Sequence, residues 1–253
     1  MSEDSEELEP TTGIIPRATS ADEQQAYRES PCGAFRVRST GYLRHGRKQR
    51  PDRAMFDLVG ADTFLLPEAL HDASDWHDSV IQRFRRNHQK THGDDGPRFF
   101  VVNFVCPGNP NDINLILYFA EKPNDDEGWR RVIDRFLEGD DDTYRRHRLK
   151  LLPMCTEGPW LVRKAIGRPA LIAKKLDTTF RRGPGFLEAT VDIGSSIIAR
   201  QVQSLVGSTL RSLVLDLGFT IEGHDDSELP ERLIGGCRLQ RMDMASFDFS
   251  VEP

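Results

Sequence analysis

RFFVVNFVC (98–106) and INLILYFAE (113–121) constrain the fold of this chain more than any other stretch. Both are dense in β-branched and aromatic residues, which suit the pleated surface of a strand. Between them PGNPND (107–112) gathers the residues of turns. Two such runs joined by a short turn-rich loop predict an antiparallel hairpin.

Other segments extend the sheet. FRVRSTGYL (35–43) alternates in the strand manner, and RHGRKQRP after it reads as a basic loop or hairpin. FDLVGADTFLL (56–66) reads as a strand followed by a turn, broken at Gly60. LKLLPM, PWLVRKAIG, PALIAKKL and GFLEATVDIG are short apolar segments separated by glycine and proline, and they read as strands of the same sheet. CRLQRMDM reads as a last strand.

Helical spacing marks three segments. DWHDSVIQRFRRNHQK (75–90) repeats Trp76, Val80, Ile81 and Phe84, with Asp75 or Asp78 as cap. EGWRRVIDRFLEG (127–139) places Trp129, Val132, Ile133, Phe136 and Leu137 on one face and stops at Gly139. DDDTYRRHR reads as a charged connector. The longest helix is expected from Ser195, with Ile198, Val202, Leu205, Val206, Leu210, Leu213 and Leu217 on one stripe and Asp192 and Ser195 at its start. Gly207 inside it costs about 1 kcal/mol relative to alanine and would let a neighbour pack close. ELPERLIGG reads as a turn of helix. The fold class is α+β: a curved antiparallel sheet packed on a long C-terminal helix, as in helix-grip layouts. Such a layout either encloses an apolar cavity under the helix or fills its core with side chains.

Charge divides the 253 residues unevenly. Residues 1–30 hold eight acids and two bases, which accounts for the whole net charge of −6 and leaves 32 of each sign beyond them. The organisation expected is an acidic, disordered leader (1–30) and a single domain (31–253). A neutral body argues against a nucleic-acid binder. With mean hydropathy of −0.52 and no apolar run near 18 residues, a transmembrane helix is excluded. MSEDSEELEP lacks the apolar core of a signal peptide. Cys32, Cys106, Cys155 and Cys237 are widely spaced and read as buried thiols of a reducing compartment.

Catalytic and metal motifs are missing. The chain lacks G-x-S-x-G, G-x-x-x-x-G-K-S/T and H-E-x-x-H, and its acidic run Asp140–Asp142 lacks the spacing of a calcium loop. His88 and His92, four apart, read as a solvated helix end. The expectation is a domain without cofactor, metal or catalytic residues. Two groups remain. Arg181, Arg182, Glu188, Asp192, Ser195 and Ser196 cluster near a strand-to-helix corner, where free N–H groups either cap the helix or bind an anion. Arg36, Arg38, Arg44, Arg47, Lys48 and Arg50, followed by Arg53, face a single acid, Asp52, and form a basic patch that an anionic leaflet would attract.

LKLLPMCTEGPWLVRKAIGRPALIAKKL, then FRRGPGFLEATVDIGSSIIARQV, then ELPERLIGGCRL, resemble the C-terminal domain family of Enhanced Disease Resistance 2. FRVRSTGYL and the 98–118 hairpin look like the opening motifs of that domain, so the resemblance covers roughly residues 31–245. Ala173 departs from the family's glycine, and Phe180 and Phe186 replace common tyrosines. In plants the domain usually follows pleckstrin-homology and START domains, and a START-like layout is one reading of the predicted fold. The resemblance implies a regulatory role at endomembranes, with a cytoplasmic protein that associates peripherally. Within the shared motifs, Glu157-Gly158-Pro159-Trp160 reads as a turn anchoring an aromatic in the core. Glu228 and Glu231 flank Leu229-Pro230, with the proline suited to a first helical turn.

Two functions follow as expectations. The first is a non-catalytic module that binds lipid or an anionic membrane surface. The second is a protein-interaction or regulatory domain with a filled core and a protein partner.

Overall fold

The computed structural model describes residues 11–20, 23–66, 73–75, 79–93, 96–108 and 111–243. Its first half contains β1 (Thr11–Ile14), β2 (Ala26–Glu29), β3 (Val37–Arg38), α1 (Tyr42–His45), β4 (Lys48–Gln49), β5 (Phe56–Leu66), α2 (Val80–His92), β6 (Phe99–Cys106), β7 (Asp112–Glu121), α3 (Glu127–Glu138) and α4 (Asp142–Arg146). The second half adds β8 (Leu149–Glu157), α5 (Trp160–Ile166), β9 (Ala170–Leu171), α6 (Ile172–Lys175), β10 (Asp177–Gly183), β11 (Phe186–Asp192), α7 (Ile197–Gly207), β12 (Val214–Ile221) and β13 (Leu233–Gln240).

The strands form two main sheets rather than one. A six-stranded sheet runs β1-β5-β7-β6-β11-β10, and a five-stranded sheet runs β2-β13-β12-β8-β9. β6 and β7 pair antiparallel as the hairpin predicts, with Phe100 opposite Phe119. β11 pairs parallel to β6, so the larger sheet is mixed. The sheets share one core: Phe219 of β12 meets the rings of Phe100, Phe104 and Phe119 with centroids 5.6–6.3 Å apart. α3 lays Trp129, Ile133, Phe136 and Leu137 into the same core. The sheets are stitched together where the Met55 N–H donates to the Leu233 carbonyl at 2.9 Å.

Outer faces are covered by shorter pieces. α2 lays Val80, Ile81 and Phe84 on the larger sheet against Phe99, Val101 and Ile116. Gly60 permits that approach, since a Cβ there would stand 2.6 Å from Val80. On the smaller sheet Phe35 lies across Gly218 and Gly236, where added Cβ atoms would fall within 3 Å of its ring.

Several expectations are corrected. The long C-terminal helix is half as long as read: α7 ends at Gly207, and Leu213 and Leu217 belong to the turn and strand that follow. LVLDLGFTI alternates, and alternation buried between two partner strands outweighs helical spacing. Gly207 closes the helix, and among the described residues no neighbour packs against it. Between the two sheets the interior is packed with aromatic rings. PWLVRKAIG forms α5, and PALIAKKL forms β9 and α6. The charged connector contains α4, whose Arg145 donates to the Phe136 carbonyl at 2.7 Å and so caps α3. FDLVGADTFLL is one continuous strand with a bulge at Val59. α2 starts at Val80 with Ser79 as its cap, while Trp76 and Asp78 lie outside the described residues. Residues 11–30, read as leader, supply β1 and β2, and Ile15, Ala26 and Tyr27 are buried; residues 1–10 lie outside the described residues. ELPERLIGG gives a 3-10 turn over Asp226–Glu228 and then β13, which starts earlier than read.

Candidate functional site

The corner cluster does not converge on one point. Glu188 is fully buried, where it accepts from the Ser74 N–H at 2.9 Å and the Thr190 hydroxyl at 3.2 Å. Asn103 donates to it at 3.4 Å, and Asn114 in turn donates to Asn103 at 2.8 Å. Burial pushes the nearby Tyr118 phenol up, and the charges of Asp62 and Glu188 push it further. This is a closed, buried polar row in which the Glu188 carboxylate has hydrogen-bond donors. Arg181 opposes Glu188 across the β10–β11 ladder and lies over the Phe186 ring. Arg182, on the other face, binds Asp140 and the Glu138 carbonyl. Ser196, rather than Asp192 or Ser195, caps α7, accepting from the Ala199 N–H at 3.4 Å. Ser195 donates to the Asp192 carbonyl at 2.6 Å and accepts from the Asp177 N–H at 3.0 Å, which ties the start of α7 to the start of β10.

Two residues of the basic stretch, Arg38 and Lys48, line a pocket, and the others stand outside its lining. β3, α1 and β4 form a small hairpin that carries Arg36, Arg44, Arg47, Lys48 and Arg50 exposed. Arg38 is different. Its Nη2 pairs with Glu222 at 3.0 Å, its Nη1 donates to the Gly223 carbonyl at 2.7 Å, and its backbone N–H donates to Glu231 at 2.9 Å. Lys150 of β8 completes the knot, pairing with Glu231 at 2.5 Å and Glu222 at 3.2 Å. Glu228 binds Arg148 and accepts from the His224 N–H at 2.7 Å. Burial and the Arg148 charge hold the His224 imidazole below its ordinary pKa.

Above this knot a pocket of about 310 Å³ opens between the β3–β4 hairpin and the β9–α6 segment. Arg38, Tyr42, Lys48, Lys150, Lys174 and Lys175 line it, with Glu222 as its one acid. Lys48 and Arg38 were legible as members of a basic run. Lys150, Lys174 and Lys175 were not, because they come from β8 and α6, and only the fold brings those elements to the hairpin.

A second surface feature runs along α5 and α7, which pack against each other. Trp160 and Leu161 are 67% and 56% exposed, and Ile197 and Ile198 are 66% and 74% exposed. The EGPW turn therefore presents its tryptophan outward instead of anchoring it in the core. The Lys164 ammonium lies 5.1 Å from the Trp160 ring centroid. Residues 158–168 carry three bases, Arg163, Lys164 and Arg168, residues 193–207 carry one, Arg200, and neither stretch contains an acid.

The four cysteines are free thiols, and burial pushes Cys106 up to about 12. Among the described residues, no three His, Cys, Asp or Glu side chains gather as metal ligands. Among the same residues, no helix is long and apolar enough to cross a membrane.

Comparison with known proteins places these features in a family. The model of Protein ENHANCED DISEASE RESISTANCE 2, C-terminal, matches residues 27–243. A curated relative from Arabidopsis thaliana, Protein ENHANCED DISEASE RESISTANCE 2-like, is 33% identical over 227 residues, or 88% of this chain. The alignment covers 29% of that relative, so the chain spans less than a third of its length. No solved structure matches the chain. The match takes in the pocket, both exposed helices and the two main sheets from β2 onward, and the chain belongs to the Enhanced Disease Resistance 2 C-terminal family.

Proposed function

We propose that this domain is a non-catalytic regulatory module that docks peripherally on anionic membranes through the edge formed by α5 and α7. The observation that carries this reading is the pairing of four exposed large apolar side chains with four bases and no acid in the segments that hold them. Water disfavours such side chains, and burying one fully gains about 1.5–3 kcal/mol. Tryptophan favours the boundary between headgroups and acyl chains. Each base near an anionic leaflet adds about 1 kcal/mol. Together these suffice for reversible surface binding. The filled core supports a lipid surface as partner rather than a single lipid held inside. Membrane docking is compatible with a cytoplasmic protein at endomembranes.

Flotation with vesicles of phosphatidylcholine alone or mixed with phosphatidylserine tests the reading. The protein is expected to float with the anionic vesicles at about 0.15 M salt and less so at 1 M. Ile197→Ser with Ile198→Ser is expected to cut that binding by about a hundredfold or more, since two such side chains at about 1.5 kcal/mol each amount to about 3 kcal/mol. Failure of the unmodified domain to float, or equal flotation of the variant, would remove the proposal and leave a protein partner for this edge.

A further inference from the structure

We infer that the pocket between the β3–β4 hairpin and the β9–α6 segment binds a small ligand bearing two or more phosphate groups, of the class of a phosphorylated inositol ring. This site is distinct from the α5–α7 edge and stands or falls separately.

The charge is arranged for it. Five of the lining side chains are cationic and one is anionic. The acid, Glu222, is already taken up by Arg38 and Lys150. Beneath them Glu231, only 1% exposed at its side chain, holds the same two cations from below. The floor is thus a rigid, hydrogen-bonded platform rather than a set of mobile side chains. Lys48, Lys174 and Lys175 stand exposed around it, and none makes an ion pair with a carboxylate among the described residues. Three unpaired ammonium groups around one concavity repel each other, and an anion relieves that repulsion. A single phosphate satisfies one or two of them. A ligand with several phosphates at different points of a ring reaches all three.

Shape agrees with charge. A volume of about 310 Å³ lies at the small end of ligand pockets, enough for a phosphorylated ring and too little for a protein segment. Pro169, Ala170 and Leu171 form an apolar wall, and the Tyr42 ring, fixed by the Arg38 guanidinium 4.7 Å from its centroid, stands at the hairpin side. These surfaces accept the carbon face of a ring while the lysines take its substituents. The ligand is either free in solution or the headgroup of a lipid. The Asp177–Ser195 hydrogen bond joins the two sites, since Asp177 follows Lys175 by two residues and Ser195 precedes the exposed Ile197 by two. A headgroup bound in the pocket would therefore work alongside the apolar edge.

Isothermal titration with inositol 1,4,5-trisphosphate and with inorganic phosphate, on the full chain, tests the site. The trisphosphate is expected to bind one to one and more tightly than phosphate. Lys174→Glu with Lys175→Glu is expected to weaken it at least tenfold, since charge-assisted contacts are lost and repulsion gained. Arg36→Glu, an exposed base outside the pocket lining, is expected to leave it unchanged. Thermal unfolding of each variant checks that the fold is kept. Binding no tighter than phosphate, an unaffected double variant, or an equal loss in Arg36→Glu would overturn the inference.

Vesicles carrying phosphatidylinositol 4,5-bisphosphate, compared with phosphatidylserine vesicles of equal charge, decide the source of the ligand. A preference for the former that the double lysine variant abolishes assigns a headgroup, and no preference alongside trisphosphate binding assigns a free ligand. The Ile197→Ser, Ile198→Ser variant separates the two sites. If it keeps trisphosphate binding while losing flotation, both readings hold. If flotation persists in a protein that ignores trisphosphate, the pocket fails alone.

Discussion

Glu231 joins segments far apart in the chain. Its carboxylate accepts from Lys150 at 2.5 Å, from the Arg38 N–H at 2.9 Å and from the Gly223 N–H at 3.2 Å. One side chain so binds β3 to β8 and to the β12–β13 connection. Removing it leaves Lys150 and Arg38 sharing the Glu222 carboxylate. Breaking a buried ion pair costs about 3–5 kcal/mol, and the remaining partner places Glu231→Ala near the lower figure. Equilibrium urea unfolding measures this, and a loss below about 1 kcal/mol would show that the knot contributes little to stability. Glu228, Glu231 and Arg38 were legible as polar points in shared motifs, but their mutual pairing was not. It depends on contacts across more than 180 residues of sequence. Trp160 shows the opposite failure. A tryptophan after a Gly-Pro turn reads as an anchor, yet Val162 and Ile166 occupy the buried face of α5 and leave Trp160 outside.

At the scale of elements, the segments with one clear pattern were read correctly and those with two were not. β6, β7, β11 and α3 were legible because each shows one strong pattern. The 195–217 stretch carries helical spacing to Gly207 and alternation after Leu213, and read as one unit it gave a helix twice too long. α5 and α6 are too short for their period to stand out among glycines and prolines. α3 also supplies a pH prediction. Asp126 caps it, accepting from the Trp129 N–H at 2.9 Å, and pairs with Arg232 at 2.7 Å. Partial burial pushes its carboxyl up, but the N–H bond and the Arg232 charge prevail and hold it below its ordinary value of 3.8. A carboxyl whose pKa falls on folding stabilises the fold above its unfolded value, and that contribution fades as pH drops through its folded value. Asp126→Ala is expected to cost about 1 kcal/mol at pH 7, with the difference from the parent shrinking below pH 3.8. Unfolding curves at pH 7 and pH 3 read this directly, and a difference that grows on acidification would contradict it.

For the whole molecule, a sheet on a long helix and a sandwich of two sheets make different demands on function. The first leaves room beneath the helix. The second closes its interior with Phe100, Phe104, Phe119 and Phe219 and shifts any ligand to the surface. What the surface then offers is a cationic pocket at one hairpin and an apolar edge along α5 and α7. Strand content and the basic run were legible because each is local in sequence. The division into two sheets was not, since it rests on β11 returning beside β6 and β13 pairing with β2. The central claim is that the α5–α7 edge enters the headgroup region of a membrane. Among the described residues Trp160 is the exposed tryptophan and stands on that edge, while Trp129 is buried. The most direct measurement is tryptophan emission during titration with anionic vesicles, some of them carrying brominated acyl chains, with Trp160→Phe as reference. The account predicts a blue shift and quenching by the brominated chains, both lost in Trp160→Phe. Emission that stays unchanged on vesicle addition, or a response that survives in Trp160→Phe, would contradict it.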